Sequence, residues 1–187
     1  KFDALSINSK IAICGLPIRV DSYKTCDFGC KYCFANNRVI CQAGKDFQLA
    51  NLSSLEKRLD RVLGEGIYKE DSLLDTLIAQ RITWHCGGMS DPFQRCEGDY
   101  HITRDMVEIC NKYGISILFS TKSDNLYDVD INPTLHTFQL SVSNINNCKD
   151  VEPNVPDIES RYKLFKELKI REIDINMLSS SRWNKQA

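Results

Sequence analysis

No stretch of this sequence is apolar for long enough to span a membrane, and no signal-peptide pattern opens it. Neither sign of charge is in excess: 24 Lys and Arg stand against 25 Asp and Glu. Net charge therefore argues for no general polyanion-binding surface, though it leaves local patches open. The cysteines, nine in number, are odd and not densely paired, which argues against a disulfide framework. With no signal-peptide pattern visible, the expectation is a reducing, cytoplasmic setting. What is present is 42% hydrophobic residues in 187, enough for one domain, residues 1–187, with a sizeable core. The chain opens on Lys1 rather than Met, so the expectation is a numbering that starts inside a longer product or after processing.

The most informative run is Thr25-Cys26-Asp27-Phe28-Gly29-Cys30-Lys31-Tyr32-Cys33-Phe34, where Cys26, Cys30 and Cys33 stand at C-x3-C-x2-C spacing. Three thiolates on one tight loop can hold three corners of a four-iron, four-sulfur cubane, leaving the fourth iron open to a substrate or cofactor. The alternative is a structural zinc site, which needs four Cys or His ligands, usually as two pairs. No second C-x2-C pair exists, so His85 and Cys86 would have to complete it from a distance. Cys14, Cys41, Cys96, Cys110 and Cys148 are scattered and read as small buried hydrophobes rather than a second cluster.

Periodicity places this loop in a β/α series. Ile11 to Val20 reads as a first strand that delivers the cysteines at its C-terminal end. Ser53 or Ser54 is expected to cap a helix bearing Leu55, Leu59, Val62 and Leu63, ended by Gly64 and Gly66. Asp71-Ser72 starts a second helix, and Arg81 to Cys86 a second strand, which exits through Gly87-Gly88-Met89-Ser90-Asp91-Pro92-Phe93-Gln94. Thr103 is expected to cap the next helix and Gly114 to stop it. Ile115 to Phe119, apolar apart from Ser116, predicts a strand buried on both faces. A fourth strand from Thr137 to Val142 exits at Ser143, Pro156-Asp157 introduces a helix, and Ile170 to Met177 is a fifth strand. The tail from Ser179 to Ala187 fits neither pattern.

The alternation predicts an α/β fold, a partial (β/α) barrel of about five to six parallel strands with right-handed crossovers, since the chain is too short for eight units. In such a barrel the C-terminal strand ends converge on one functional face. The cysteine loop, the Gly87 to Gln94 exit, Ser120-Thr121-Lys122-Ser123 and Ser143 all fall at such ends.

With Tyr32 directly before the last cysteine, the loop resembles the radical S-adenosylmethionine superfamily, whose signature is C-x3-C-x-aromatic-C. Pro17 to Lys24, Ser90 to Gln94, Ser120 to Ser123 and Glu152-Pro153-Asn154 to Arg161 are similar to the branch that contains spore photoproduct lyase and its relatives. That resemblance covers Ile13 to Leu168 and implies the cofactor contacts. Tyr32 would lie beside the adenine. Gly87 to Ser90, Gly88 included, would receive the methionyl amino group, with Ser90 as its side-chain contact. Lys122 would meet the carboxylate or ribose, and Ser143 the ribose hydroxyls. The implied chemistry is reductive cleavage of S-adenosylmethionine to a 5'-deoxyadenosyl radical that abstracts hydrogen, with electrons from a donor such as flavodoxin or ferredoxin.

The resemblance makes a nucleic-acid base the leading substrate class, with a peptide or small metabolite as the other enzymatic reading and a non-catalytic metal-binding scaffold as the rival. Its residue types also have plainer uses. A Ser or Lys at a strand end is ordinarily a solvated loop residue, Asp91 before Pro92 can be a turn former, and Trp84 and His85 read as core packing. Spore photoproduct lyase places a hydrogen-donating cysteine immediately before the serine aligned with Ser90. This chain has Met89 there, a thioether with no S–H. Cys86, three residues earlier on a strand, should face the other way.

Overall fold

The computed structural model describes residues 1–8, 15–37, 48–69, 71–142 and 148–179. Ser143, Cys14, Cys41, most of the tail and part of the first predicted strand lie outside the described residues. Six strands form one sheet in the order β1 Leu5–Ile7, β2 Ile18–Val20, β3 Trp84–Cys86, β4 Ile117–Thr121, β5 His136–Val142 and β6 Asp174–Ser179. Strands β2 to β6 are parallel throughout, and β1 joins β2 antiparallel. Among the described residues β1 and β6 do not pair, so the sheet is an open, partial barrel. The antiparallel edge strand corrects the expectation of parallel strands alone. At three residues, β1 is too short to carry a readable period.

The sheet has two unlike faces. Along β4 and β5 buried residues alternate with half-buried ones. Val20, Cys86, Phe119, Phe138 and Ile175 share one row of the covered face. Against that face pack the helices α1 Leu52–Leu59, α4 Ile102–Lys112 and α6 Ile158–Ile170 through Leu55, Leu59, Met106, Val107, Leu164 and Leu168. Phe93 joins the same core, its ring 5.3 Å from Phe119 and 5.8 Å from Phe138. The opposite, inner face carries Arg19, His85, Leu118, Ser120, Gln139 and Ser141, all half-buried. Leu118 is half-buried rather than enclosed on both sides, which corrects the reading of this run, because no helix among the described residues packs on the face it occupies.

Helix starts show where local signals failed. The cap of α1 is Asn51, not Ser53 or Ser54; its side chain accepts from the Ser54 N–H, and the helix runs on into a π-type turn over Asp60–Gly64. Ser72 caps α2, Leu73–Ala79, and Asp157 caps α6, both at the expected positions. Thr103 does not cap α4. Its N–H and that of Arg104 are instead received by the carboxylate of Glu97, in the short helix α3, Glu97–Tyr100. Glu97 is fully buried and also accepts from the Tyr23 hydroxyl, which ties the start of α4 to the chain leading into the cysteine loop. Gly114, at φ +64°, closes α4 as expected.

Candidate functional site

The cysteine loop leaves β2 and turns through Gly29, whose φ of +63° suits glycine. Cys26, Cys30 and Cys33 pack together around Phe28 and Val155, and the Cys33 N–H bonds the Cys30 carbonyl at 3.1 Å. Two segments grip the loop from opposite sides. From the β3 exit, Ser90 donates its hydroxyl to the Tyr23 carbonyl at 2.6 Å, while the buried Gln94 donates to the Thr25 carbonyl and accepts from the Asp27 N–H. Gln94 therefore fixes the backbone on both sides of Cys26. From the other side, the Asn154 amide donates to the Asp27 carbonyl and the Lys31 N–H reaches the carbonyl of Val151, the last residue of helix α5, Cys148–Val151.

Asp91 is more than a turn former. It is buried, and its carboxylate accepts from the Thr121 hydroxyl at 2.7 Å, the Lys122 N–H at 2.7 Å and the Phe93 N–H at 3.0 Å, stapling the β3 exit to the β4 exit. Burial pushes its carboxyl up from the ordinary range, and the three donors oppose that. Together these elements enclose a cleft of about 250 Å³ lined by Cys26, Cys30, Cys33, Tyr32, Gly88, Met89, Ser90 and Lys122. Four of the five expected cofactor contacts thus meet the three cysteines in one cleft, and the fifth, Ser143, lies outside the described residues.

Tyr32 is half exposed on the rim, its hydroxyl donating to the buried Glu152 and the Lys122 ammonium 5.8 Å above its ring. Glu152 in turn faces Arg161 at 3.7 Å, and Arg161 donates to the Ser141 carbonyl at 2.8 Å, so the loop is tied to the exit of β5 through two fully buried charges. Asp91, Gln94, Glu97, Glu152 and Arg161 were not legible as site residues, because each acts on a partner far away in sequence.

The donor set fits a cubane better than a single ion. Among the described residues no three His, Cys, Asp or Glu side chains converge as one tetrahedral metal requires. In a four-iron cubane each thiolate takes a different iron, so its sulfurs surround the cluster rather than meet at a point. His85 and Cys86 cannot complete a zinc site together: His85 is on the inner face bonded to Ser120, and Cys86 is 1% exposed in the core. Burial pushes the Cys26 thiol up to about 12, opposed by the backbone N–H groups of Asp91 and Phe28. Burial also raises Cys30, against the pull of the Lys122 cation. Such thiols ionise readily only against positive charge, which the irons of a cluster would supply. N–H groups aimed at a sulfur are the kind that tune a cluster potential.

An open, mostly parallel α/β sheet with three thiols around a cleft at its C-terminal edge is the arrangement that the resemblance drawn from the cysteine loop implies. Among solved structures, the fold is similar to a cysteine-to-serine mutant of spore photoproduct lyase, with a TM-score of 0.66, 15% identity, and 96% of this chain and 48% of that one covered. A spore photoproduct lyase mutant with bound AdoMet and dinucleoside spore photoproduct matches at 0.64, with 14% identity over 95% of this chain and 47% of that chain. Streptococcus suis SuiB bound to S-adenosylmethionine matches at 0.55, with 14% identity over 90% and 35%. In sequence, the chain is 27% identical over 161 residues to an uncharacterized protein of Methanocaldococcus jannaschii, covering 80% of this chain and 54% of the relative. The chain therefore spans about half the length of the relatives it matches. No family model matches the sequence. The fold agrees with the resemblance drawn from the cysteine loop, and no helix among the described residues is long and apolar enough to cross a membrane.

Proposed function

We propose that this chain is the catalytic core of a radical S-adenosylmethionine enzyme acting on a nucleic-acid base. The observation that carries the reading is the gathering of Cys26, Cys30 and Cys33 with Gly88, Ser90, Tyr32 and Lys122 around one cleft. Cys26, Cys30 and Cys33 would hold a four-iron, four-sulfur cluster. When bound, that cluster and S-adenosylmethionine supply the reductive sulfonium cleavage and the hydrogen-abstracting 5'-deoxyadenosyl radical, with electrons from a flavodoxin or ferredoxin.

The protein's own part is placement. Asp91 and Gln94 set the β3 exit against the cysteine loop, Tyr32 offers a ring face at the rim, and Lys122 brings a cation to a zwitterionic cofactor. The nucleic-acid substrate class is supported by the likeness to spore photoproduct lyase complexed with dinucleoside spore photoproduct. The test is anaerobic reconstitution with iron and sulfide, then assay with S-adenosylmethionine and dithionite. The expected results are about four irons per chain and release of 5'-deoxyadenosine. A protein that binds the cluster and never cleaves the cofactor would be the non-catalytic scaffold instead.

Lys122→Ala is expected to leave the iron content intact and to weaken S-adenosylmethionine binding about tenfold, the scale of one lost charge-assisted bond. Titration calorimetry on cluster-loaded protein checks this, and unchanged affinity would remove Lys122 from the cofactor site.

The position of Met89 limits the reaction. Met89 lines the cleft, whereas Cys86 is buried on the far face of the sheet. Neither offers an S–H to a radical formed in the cleft. The expected outcome with dinucleotide spore photoproduct is cofactor cleavage without multiple-turnover release of repaired thymidylyl-thymidine. Chromatographic detection of many repair turnovers would show that a hydrogen donor other than cysteine serves this site.

A further inference from the structure

The inner face of the sheet is a continuation of the cleft floor, and its side chains are hydrogen-bonded into a directed chain. Ser120 donates its hydroxyl to Gln139 Oε1 at 3.2 Å. With that proton committed, the 2.9 Å contact between His85 Nε2 and Ser120 Oγ requires the imidazole to be the donor. Burial and the neighbouring Arg19 cation both lower the His85 pKa, in keeping with a neutral ring protonated on Nε2 alone. Gly88 lies against that ring: a Cβ there would stand 3.5 Å from His85 Nδ1. Arg19 is engaged by Asp21 at 2.8 Å, so the floor is polar but nearly neutral.

This chain has a direction. It runs from His85 Nε2–H to Ser120 Oγ–H to Gln139 Oε1, and so fixes the Gln139 amide with its oxygen toward Ser120 and its two N–H donors turned away from it. Ser120 and Ser141 line the cleft, and Gln139 lies between them in the sheet, beside Ser120 in register and two residues before Ser141 on the same face of β5. The N–H donors of a half-buried amide held in this orientation are matched by a carbonyl oxygen. Pyrimidine bases carry such oxygens on a flat, neutral ring, which suits a floor without net charge.

We propose that Gln139, oriented by Ser120 and His85, reads a carbonyl oxygen of a pyrimidine-like substrate on the inner face of the sheet, where Ser120 and Ser141 join that face to the cleft. The proposal rests on the nucleic-acid reading above for its substrate class and assigns the residues that select it. Gln139 is the contact, and Ser120 and His85 are positioning residues that hold its amide in one of two orientations.

The test is calorimetric titration of reconstituted protein, with S-adenosylmethionine present and no reductant, using thymidylyl-thymidine as the probe. Gln139→Leu is expected to weaken probe binding about tenfold. Gln139→Glu, nearly the same shape, should weaken it at least as much by setting a carboxylate against the carbonyl. Ser120→Ala should cost less, since the amide stays but is free to flip. Melting temperature and S-adenosylmethionine affinity should not move, and if the Leu variant does not fold, the Glu and Ser120→Ala variants carry the comparison. Equal probe affinity in wild type and Gln139→Glu, or no saturable binding by wild type, overturns the assignment. Its failure is separable from that of the radical chemistry, which is read by 5'-deoxyadenosine release: cofactor cleavage with Gln139-independent binding sinks only the present assignment, and Gln139-dependent binding without cleavage sinks only the chemistry.

Discussion

Replacing Cys26, Cys30 and Cys33 together by Ala is expected to abolish iron binding, brown colour and cofactor cleavage, while the folded core survives. The three thiols lie in their own small cluster with Phe28 and Val155, apart from the main core built on the covered face of the sheet. Their loss therefore removes ligands without opening a cavity among Trp84, Phe93, Phe119 and Phe138. The loop itself is held by backbone bonds from Gln94, Asn154 and Ser90, none of which uses a sulfur atom. Melting of the metal-free triple variant should fall by only a few degrees against metal-free wild type, the scale of about 1–2 kcal/mol for three small, partly buried truncations. Iron analysis and the visible absorption spectrum decide the outcome. A full complement of iron in the triple variant would mean that other ligands hold it and would overturn the cluster assignment.

The part of this site that could be read in the sequence is the part that is local. Three cysteines within eight residues, glycines at the β3 exit and a polar step after each apolar strand are visible in windows shorter than a strand and its loop, and all fall at the C-terminal edge of the sheet. All five parallel strands could be placed for the same reason, although among the described residues β2 takes up only Ile18–Val20 of the apolar run that announced it. What sequence reading could not supply is action at a distance. Glu97 caps α4 across a turn and anchors Tyr23, 74 residues back in the chain. Asp91, which local rules assign to turn formation before Pro92, spends its carboxylate on residues some thirty positions later. Glu152 and Arg161 form a buried ion pair whose value lies in where it ties Tyr32 and Ser141. His85 is a sharper case: a histidine inside an apolar run reads as core, yet alternation sends it to the uncovered face, where it begins the chain that ends at Gln139.

These long-range ties share one effect. Both segments that grip the cysteine loop, the β3 exit and residues 151–155, are themselves fastened to the sheet by buried charged groups: Asp91 to Thr121 and Lys122, and Glu152 through Arg161 to Ser141. A loop that is to carry three metal ligands needs such support, since it has little regular structure of its own. The stability of the fold and the geometry of the cleft are therefore coupled most tightly where the β3 exit crosses β4.

That crossing yields the last expected result, that Gly87→Ala unfolds the protein more readily than any other single glycine-to-alanine change at a described position and empties the cleft of its cofactor affinity. A Cβ built on Gly87 would lie 2.0 Å from the Ser120 carbonyl oxygen and 2.9 Å from its carbon, both backbone atoms of a central strand that cannot rotate aside. The φ of +103° at Gly87 adds a conformational cost that alanine bears wherever glycine occupies that region. Gly66→Ala separates the two contributions, because Gly66 has φ +71° and no atom within 4 Å of its Cβ position. Gly66→Ala should cost about 1 kcal/mol; Gly87→Ala should cost about 3 kcal/mol or more, since the β3 exit must move off β4. Gly88→Ala is the milder neighbour, as its nearest contact is the Arg19 Cδ at 3.1 Å, on a side chain able to yield. The displacement in Gly87→Ala carries Ser90 and Asp91 with it, so the Asp91 bonds to Thr121 and Lys122 break, and the wall facing Cys26 is lost. Denaturant unfolding of the three variants, with calorimetric titration of S-adenosylmethionine, gives the ranking. A Gly87→Ala protein no less stable than Gly66→Ala would show that β3 and β4 do not meet as closely as the structure has them.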